Sequence, residues 1–224
     1  MLTQAQSGLP NAVLTYTIAI TNTGETTGTL NLNLTSGWGN SYPASVADLG
    51  AGETTTFAVA ITVPADALAG DMDTAVLTAT VQGEPNNFDT VTLTSSAEAV
   101  YGVSASGTGL LVGLPSATVT HTVTITNEGN TPDKFVVELG KAGWNTQLGQ
   151  ASIGLAAGAT GSVVVTVDIP ADALFGDNDS VVIGVISQGD DTQTADVTLT
   201  TEAGVFYAVS VAGTGPLGGL PAQL

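Results

Sequence analysis

The feature that most constrains the fold is an internal repeat that covers nearly the whole chain of 224 residues. Gly8-Leu9-Pro10 recurs 105 residues later as Gly113-Leu114-Pro115. PADALAGDMD at 64–73 recurs 106 residues later as PADALFGDND at 170–179. A unit of about a hundred residues is the usual size of one domain. We therefore predict two copies of one domain, residues 1–100 and 101–206, with residues 207–224 beginning a further copy.

Each copy alternates apolar and polar residues, the pattern of a strand with one face toward a core. Residues 14–20 and 57–63 place an apolar side chain at every second position, and turn-forming stretches such as Asn22-Thr23-Gly24 separate such runs. About seven strands per copy predict an all-β protein of two tandem immunoglobulin-like antiparallel β-sandwiches. Trp38 and Trp144 occupy equivalent positions, and we predict that both are buried in the cores.

These residues resemble a known group of domains. TYTIAITNTGET at 15–26 and LGAGETTTFAVAITVPADALAGD at 49–71 resemble the immunoglobulin-like repeats of bacterial and archaeal surface proteins, such as the cell-adhesion-related domain found in bacteria. THTVTITNEGNT at 120–131 and LAAGATGSVVVTVDIPADALFGD at 155–177 resemble them equally. The resemblance implies a β-sandwich that serves as a spacer, stalk or adhesive module, or that accompanies a catalytic domain in a secreted enzyme. It brings no catalytic residues.

The charge composition excludes several classes of function. The chain has two cations, Lys134 and Lys141, and a formal net charge of −18. Nucleic-acid binding is excluded because nothing neutralises phosphates, and binding to an anionic membrane surface is disfavoured for the same reason. No apolar run is long enough to span a membrane. Only 10% of the residues are charged, so the threonine-rich surface is weakly protected against association. We predict an extracellular protein of the cell surface that packs against its neighbours.

The sequence contains no recognisable catalytic motif. His121 aligns with Tyr16 and has no Ser-His-Asp or metal-ligand spacing around it, so we predict a packed core histidine that tyrosine could replace. Paired carboxylates can hydrolyse glycosides, but those of this chain recur in both copies at the same turn, which favours a structural role. We predict that the protein is not an enzyme and requires no cofactor.

The recurring carboxylates are also candidate calcium ligands. Each copy places two aspartates two residues apart and a third five residues earlier, and calcium requires six to eight oxygen ligands. The pattern lacks the acidic residue that closes an EF-hand loop, so a plain turn is the alternative. The candidates are Asp66, Asp71, Asp73, Asp172, Asp177 and Asp179.

Two sequons are present. Asn33-Leu34-Thr35 lies in a predicted strand, and Asn178-Asp179-Ser180 lies in a predicted loop. Asn33 and Asn178 are therefore candidate glycosylation sites.

The last segment, YAVSVAGTGPLGGLPAQL at 207–224, repeats YGVSASGTGLLVGLPSAT at 101–118. Residues 101–106 are the predicted first strand of the second copy, whereas Met1 aligns with Ser106, so the first copy has no such strand and is expected to have an open sheet edge. Proteins rarely leave such an edge bare. The last segment of one copy could add a strand there and propagate a head-to-tail filament. The candidate assembly residues are Tyr207, Val209, Val211, Leu217 and Leu220.

We therefore predict a structural protein, a subunit or repeat unit of a cell-surface fibre whose partners are copies of itself. Donor-strand exchange and a longer covalent array of repeats both place the sandwiches end to end. A second possibility is an adhesin or carbohydrate-associated binding module, which predicts either an exposed aromatic cluster or one loop that differs from its counterpart in the other copy. A third is a pair of accessory domains of a larger secreted enzyme, which predicts a catalytic domain elsewhere in the gene.

Overall fold

The computed structural model describes residues 2–205, 207, 209 and 210, and this part of the chain forms strands and turns without a helix. It accordingly contains no helix long and apolar enough to cross a membrane. The strands, in chain order, are β1 Leu2–Gly8, β2 Val13–Thr21, β3 Gly28–Thr35, β4 Gly39–Ser41, β5 Ser45–Leu49, β6 Thr54–Thr62, β7 Met72–Val81, β8 Phe88–Ala97, β9 Val103–Gly107, β10 Leu111–Gly113, β11 Thr118–Asn127, β12 Asp133–Leu139, β13 Asn145–Leu148, β14 Ser152–Leu155, β15 Thr160–Asp168, β16 Asn178–Ser187 and β17 Thr194–Ala203.

The strands form two tandem sandwiches. The first packs the sheet β1-β8-β7-β3-β5 against the sheet β2-β6-β4, and the second packs β10-β17-β16-β12-β14 against β13-β15-β11-β9. Each core is built from the apolar positions of the alternating strands, as in β2, where every second residue from Leu14 to Ile18 is buried. The predicted all-β fold of two tandem sandwiches is confirmed.

Each sandwich contains one parallel strand pair that the alternation did not predict. β1 runs parallel to β8, with Leu2 opposite Val91, and β10 runs parallel to β17, with Leu111 opposite Thr201. All other pairs are antiparallel. In each sandwich the strand that runs parallel to the last strand is followed by a strand of the opposite sheet, β2 or β11. In the second sandwich β9 of that opposite sheet comes first.

The prediction that both tryptophans are buried is wrong in degree, because both are half-buried. Trp38 precedes β4 and Trp144 precedes β13, which are short strands at the edges of their sheets. An edge position leaves part of the indole ring accessible, although Trp38 still packs against the first core.

Candidate assembly site

The two sandwiches differ at one sheet edge. In the second sandwich β11 pairs with β15 on one side and with β9 on the other. The equivalent strand of the first sandwich, β2, pairs with β6, and no second partner is present among residues 2–205. The sheet that has four strands in the second sandwich therefore has three in the first. The open edge expected from the repeat alignment lies along β2.

β9 shows what such an edge accepts. It runs antiparallel to β11, with Val103 opposite Asn127, Ala105 opposite Ile125 and Gly107 opposite Val123. Val103 and Ala105 pack against the second core. A Cβ atom added to Gly107 would lie 2.6 Å from Cγ1 of Val197, so the strand ends at a point where only glycine fits. β9 thus closes both the sheet and the core.

Residues 2–205 provide no equivalent of β9 for the first sandwich and leave its core incompletely covered. Seven positions are buried in the second sandwich and only half-buried at the equivalent place in the first. Ile125 and Asn127 pair with β9, and Val197 lies against Gly107 at its end, whereas Val163 is separated from β9 by β11 in the same sheet. The pairs, first sandwich before second, are Ile20 and Ile125, Asn22 and Asn127, Leu30 and Phe135, Phe57 and Val163, Ala79 and Val185, Val81 and Ser187, and Val91 and Val197.

The uncovered region is a groove between the two sheets of the first sandwich. Its volume is about 380 Å³, and its apolar lining includes Ile18, Ile20, Leu77, Ala79 and Val91. The groove opens along one part of β2. In β11 the equivalent part is the one that pairs with β9. We call this feature the β2 groove.

The backbone of β2 is only partly satisfied on its open side. Nε2 of Gln6 donates to the carbonyl of Thr15 at 2.8 Å, and Nε2 of Gln4 donates to that of Thr17 at 3.2 Å. Because alternate residues direct their backbone groups to one side, Ala19 and Thr21 present theirs to the same open edge. Sequence reasoning missed the two glutamines, although their alternation on β1 was a signal. They leave residues 18–22 available, the stretch that β9 covers in the second sandwich.

Two of the candidate assembly residues lie within the described part of the chain. The Tyr207 and Val209 side chains are 90% and 91% exposed, so neither packs against its own sandwich. Val211, Leu217 and Leu220 lie outside the described residues.

The candidate calcium ligands hold turns instead of converging. Asp71 accepts a hydrogen bond from the backbone N–H of Leu68, and Asp177 does so from that of Leu174. Asp73 and Asp179 each hold the loop before a tryptophan, by accepting from the N–H of Gly37 and of Gly143 respectively. Across the described ranges, no group of three or more acidic, histidine or cysteine side chains is placed to hold a metal ion. Asp66 and Asp172 are exposed.

His121 is a fully buried core residue. Its ring nitrogens hydrogen-bond Thr108 and Thr201, whose Oγ1 atoms lie 3.0 and 2.8 Å away. In the first sandwich the hydroxyl of Tyr16, the counterpart of His121, donates to the carbonyl of Thr94 at 2.7 Å. Thr94 is one residue away from the position equivalent to Thr201. Both side chains therefore tie the two sheets together. Burial lowers the pKa of His121, so its ring is neutral at pH 7.

The two sequon asparagines are exposed. Asn33 lies in β3, a strand as predicted, whereas Asn178, which was predicted to lie in a loop, is the first residue of β16. Glycosylation at either position stays a prediction.

Comparison with known proteins gives a partial match. Residues 9–84 match a family model described as the NPCBM-associated, NEW3 domain of alpha-galactosidase, which covers roughly a third of the chain and lies within the first sandwich. No curated protein matches.

Three solved structures illustrate the structural similarity. A protein of unknown function from Porphyromonas gingivalis W83 is 16% identical, with a TM-score of 0.34, over 87% of this chain and 93% of that one. The CsuC-CsuE chaperone-tip adhesion subunit pre-assembly complex from archaic chaperone-usher Csu pili of Acinetobacter baumannii contains a chain that is 11% identical, with a TM-score of 0.31, over 89% and 95%. The C-terminal domain of the Streptococcus agalactiae AgI/II polypeptide BspA is 10% identical, with a TM-score of 0.31, over 89% and 95%. Similarities this low support no statement about function.

Proposed function

We propose that the protein is a structural, non-enzymatic subunit or repeat unit of an extracellular fibre, in which a strand from the next repeat fills the β2 groove. The observation that carries the proposal is the edge of β2 that no strand of residues 2–205 covers, where Ile20 and Asn22 are half-buried although their β9-paired equivalents Ile125 and Asn127 are buried. A donated strand with the sequence of residues 207–213, YAVSVAG, matches residues 101–107, YGVSASG, which end in β9.

The repeat offsets give the register of the donated strand. Val209 is expected opposite Asn22, Val211 opposite Ile20 and Gly213 opposite Ile18, by analogy with the pairing of β9 and β11. Glycine recurs at 213, where its equivalent Gly107 leaves no room for a Cβ atom. The register also places apolar side chains over Ile20, the residue most directly uncovered on β2.

A second contact supports the same register. In the second sandwich the ring of Tyr101 lies directly on Gly189, so that any side chain at 189 would collide with it. The equivalent pair is Tyr207 and Gly83, and the Tyr207 ring is 90% exposed in its own chain. The ring of Tyr207 would therefore cover Gly83 of the next copy.

The donated strand is close to energetic balance by itself. Burying the side chains of Tyr207, Val209 and Val211 contributes about 5–8 kcal/mol. Ordering the six residues 207–212 costs about 6–12 kcal/mol of conformational entropy. Strand hydrogen bonds add about 0.5–1.5 kcal/mol each. A stable junction therefore needs additional contact between neighbouring sandwiches, or a covalent link that raises the local concentration of the strand.

The test uses the absence of cysteine from the chain. Thr21→Cys and Ser210→Cys together should form a disulfide between copies, because the equivalent pair Thr126 and Ser104 are direct cross-strand neighbours. Such neighbours have Cα atoms about 4.5–5.5 Å apart, within the range for a disulfide. Oxidation should give a ladder of covalent multimers on a non-reducing gel.

The test has one positive and one negative control. Ser104→Cys with Thr126→Cys should close within one chain and report that the chemistry works at this pair. Thr17→Cys with Ser210→Cys displaces the cysteine by four residues along β2 and should give no ladder. Absence of multimers for the Thr21 variant, or equal multimers for the Thr17 variant, would refute strand addition in this register.

A second candidate function rests on the match of residues 9–84 to a domain of alpha-galactosidase. Under this alternative the sandwiches are accessory modules of a carbohydrate-active protein. Electrophoresis of the chain through a gel with and without an α-galactoside polysaccharide tests it. Retarded migration would support carbohydrate binding, whereas unchanged migration would count against it.

A further inference from the structure

We propose that the loop at residues 170–177 is the second contact surface of the head-to-tail junction and that it docks on the β2–β3 turn, residues 22–26, of another copy. This inference rests on the proposed function and names a partner surface for it. It comes from the junction between the two sandwiches of one chain, which shows how one repeat meets the next.

In that junction, the loop at residues 64–71 of the first sandwich meets the β11–β12 turn of the second. The backbone N–H of Ala69 donates to the carbonyl of Asn130 at 3.0 Å, and Nδ2 of Asn130 donates to the carbonyl of Ala67 at 3.0 Å. The same side chain donates to the carbonyl of Glu98 and accepts from the N–H of Val100. Ala67 is only 4% exposed and also packs in the first core.

The equivalent loop of the second sandwich has no such partner among the described residues. Ala173, the counterpart of Ala67, is half-buried, and Phe175 stands where the first loop has Ala69. Leu174 and Phe175 are 72% and 71% exposed, and Val205 lies at the same end of the sandwich, where the N–H of Gly176 donates to the carbonyl of Ala203. Leu68, the counterpart of Leu174, is 52% exposed even in the docked loop, so Phe175 is the exposed apolar side chain that distinguishes the second loop.

The proposed partner turn already has the required shape. Oδ1 of Asn22 accepts from the N–H of Gly24 at 3.0 Å, as Oδ1 of Asn127 does from that of Gly129 at 2.9 Å. Gly129 is buried against the Val100 carbonyl, and no side chain fits there. Glycine recurs at 24, although Gly24 is exposed in its own chain. The β2–β3 turn therefore has the same local geometry as the docked β11–β12 turn, although it is exposed.

Two differences between the repeats change the chemistry of this surface. Glu25 occupies the position equivalent to Asn130, and a carboxylate cannot donate hydrogen bonds to carbonyl groups. Phe175 occupies the position equivalent to Ala69 and supplies apolar area where the amide hydrogen bonds are lost. The junction between copies is thus expected to rely on an aromatic contact, whereas the junction within the chain relies on Asn130.

The experiment measures association of the full chain by sedimentation equilibrium. Phe175→Ala, which restores the residue found at 69, should weaken head-to-tail association at least about tenfold. Val164→Ala, in the middle of β15 and 42% exposed, removes a surface apolar group away from the loop and should leave association unchanged. Glu25→Asn should tighten association several-fold by restoring the two amide donors, and more than Glu25→Ala, which removes the same charge without supplying a donor; misfolding cannot produce such a gain.

The outcomes separate this inference from the proposed function when the same substitutions are placed in the Thr21→Cys, Ser210→Cys background. A disulfide ladder together with weaker association of Phe175→Ala and tighter association of Glu25→Asn supports both. A ladder with native association of both variants overturns the loop contact alone. Absence of the ladder in the unsubstituted background overturns the strand addition and this inference with it.

Discussion

Replacing Ile20 by alanine should destabilise the first sandwich less than replacing Ile125 destabilises the second. The two residues are equivalent by repeat alignment, but Ile125 is fully buried beneath β9 whereas Ile20 is half-buried at the β2 groove. The same chemical change therefore probes the presence and the absence of the covering strand. A donated strand that covers Ile20 should abolish the difference in the free energy of unfolding lost by the two replacements.

The magnitudes follow from burial. Isoleucine exceeds alanine by three carbon atoms, worth about 2.4 kcal/mol when fully buried. An unrelieved cavity raises the cost into the range of about 2–5 kcal/mol, which we expect for Ile125→Ala. Half-burial reduces the transfer contribution at Ile20 to about 1 kcal/mol, and the space left behind joins a groove already open to water.

The assay uses the single tryptophan of each sandwich. Trp144→Phe leaves Trp38 to report unfolding of the first sandwich in urea, and Trp38→Phe leaves Trp144 to report the second. The chain is truncated after Phe206 so that it cannot donate its own strand, and a peptide of residues 205–216 is added in excess. The peptide should stabilise the first sandwich and raise the cost of Ile20→Ala toward that of Ile125→Ala. Equal costs without peptide, or no effect of peptide, would refute the reasoning.

Two further predictions concern the second sandwich. Burial lowers the pKa of His121 below its ordinary value of 6.5, and a hydrogen bond to Thr108 opposes this only in part. The unfolded chain therefore takes up a proton that the folded core resists, so this contribution to stability is complete above about pH 6.5 and is lost as the pH falls through the folded pKa. His121→Tyr should remove that part of the pH dependence in urea unfolding followed by Trp144, and an unchanged slope would contradict it. Asp179→Ala leaves the backbone N–H groups of Gly143 and Trp144 without their acceptor and should cost about 1–3 kcal/mol, whereas Asp172→Ala, at an exposed position, should change stability by less than about 0.5 kcal/mol.

The parts of the fold that sequence predicted are those that local patterns determine. Alternation identifies strands and their inward faces, and the repeat alignment identified the edge of β2 because residues 101–106 have no counterpart within residues 1–100. The parallel pairing of β1 with β8 was not predictable, because alternation states which face is buried and not which strand lies alongside. The choice of neighbour depends on contacts nearly ninety positions apart in the chain, such as Leu2 with Val91.

Two side-chain environments also escaped sequence reasoning. Both tryptophans were predicted to be buried because large aromatics usually are, but a residue beside a short edge strand keeps an accessible face. Asn130 lies in the β11–β12 turn, and no sequence pattern distinguishes it. Its bonds to Ala67, Glu98 and Val100 depend on how the second sandwich sits on the first, which no local pattern encodes.

The contrast between Ala69 and Phe175 bears on how the proposed fibre is held together. A strand that roughly balances its own ordering cost is retained easily when it belongs to the same chain, because linkage raises its effective concentration to the millimolar range. The junction within the chain has this advantage, and there a small alanine beside Asn130 is sufficient. A junction between separate chains has no such advantage and must also bring together two subunits of like charge, each with a formal net charge of −18. A large aromatic at 175, in the position of the alanine at 69, is the change that such a junction requires, and raising the salt concentration should strengthen it further because the repulsion between subunits is screened.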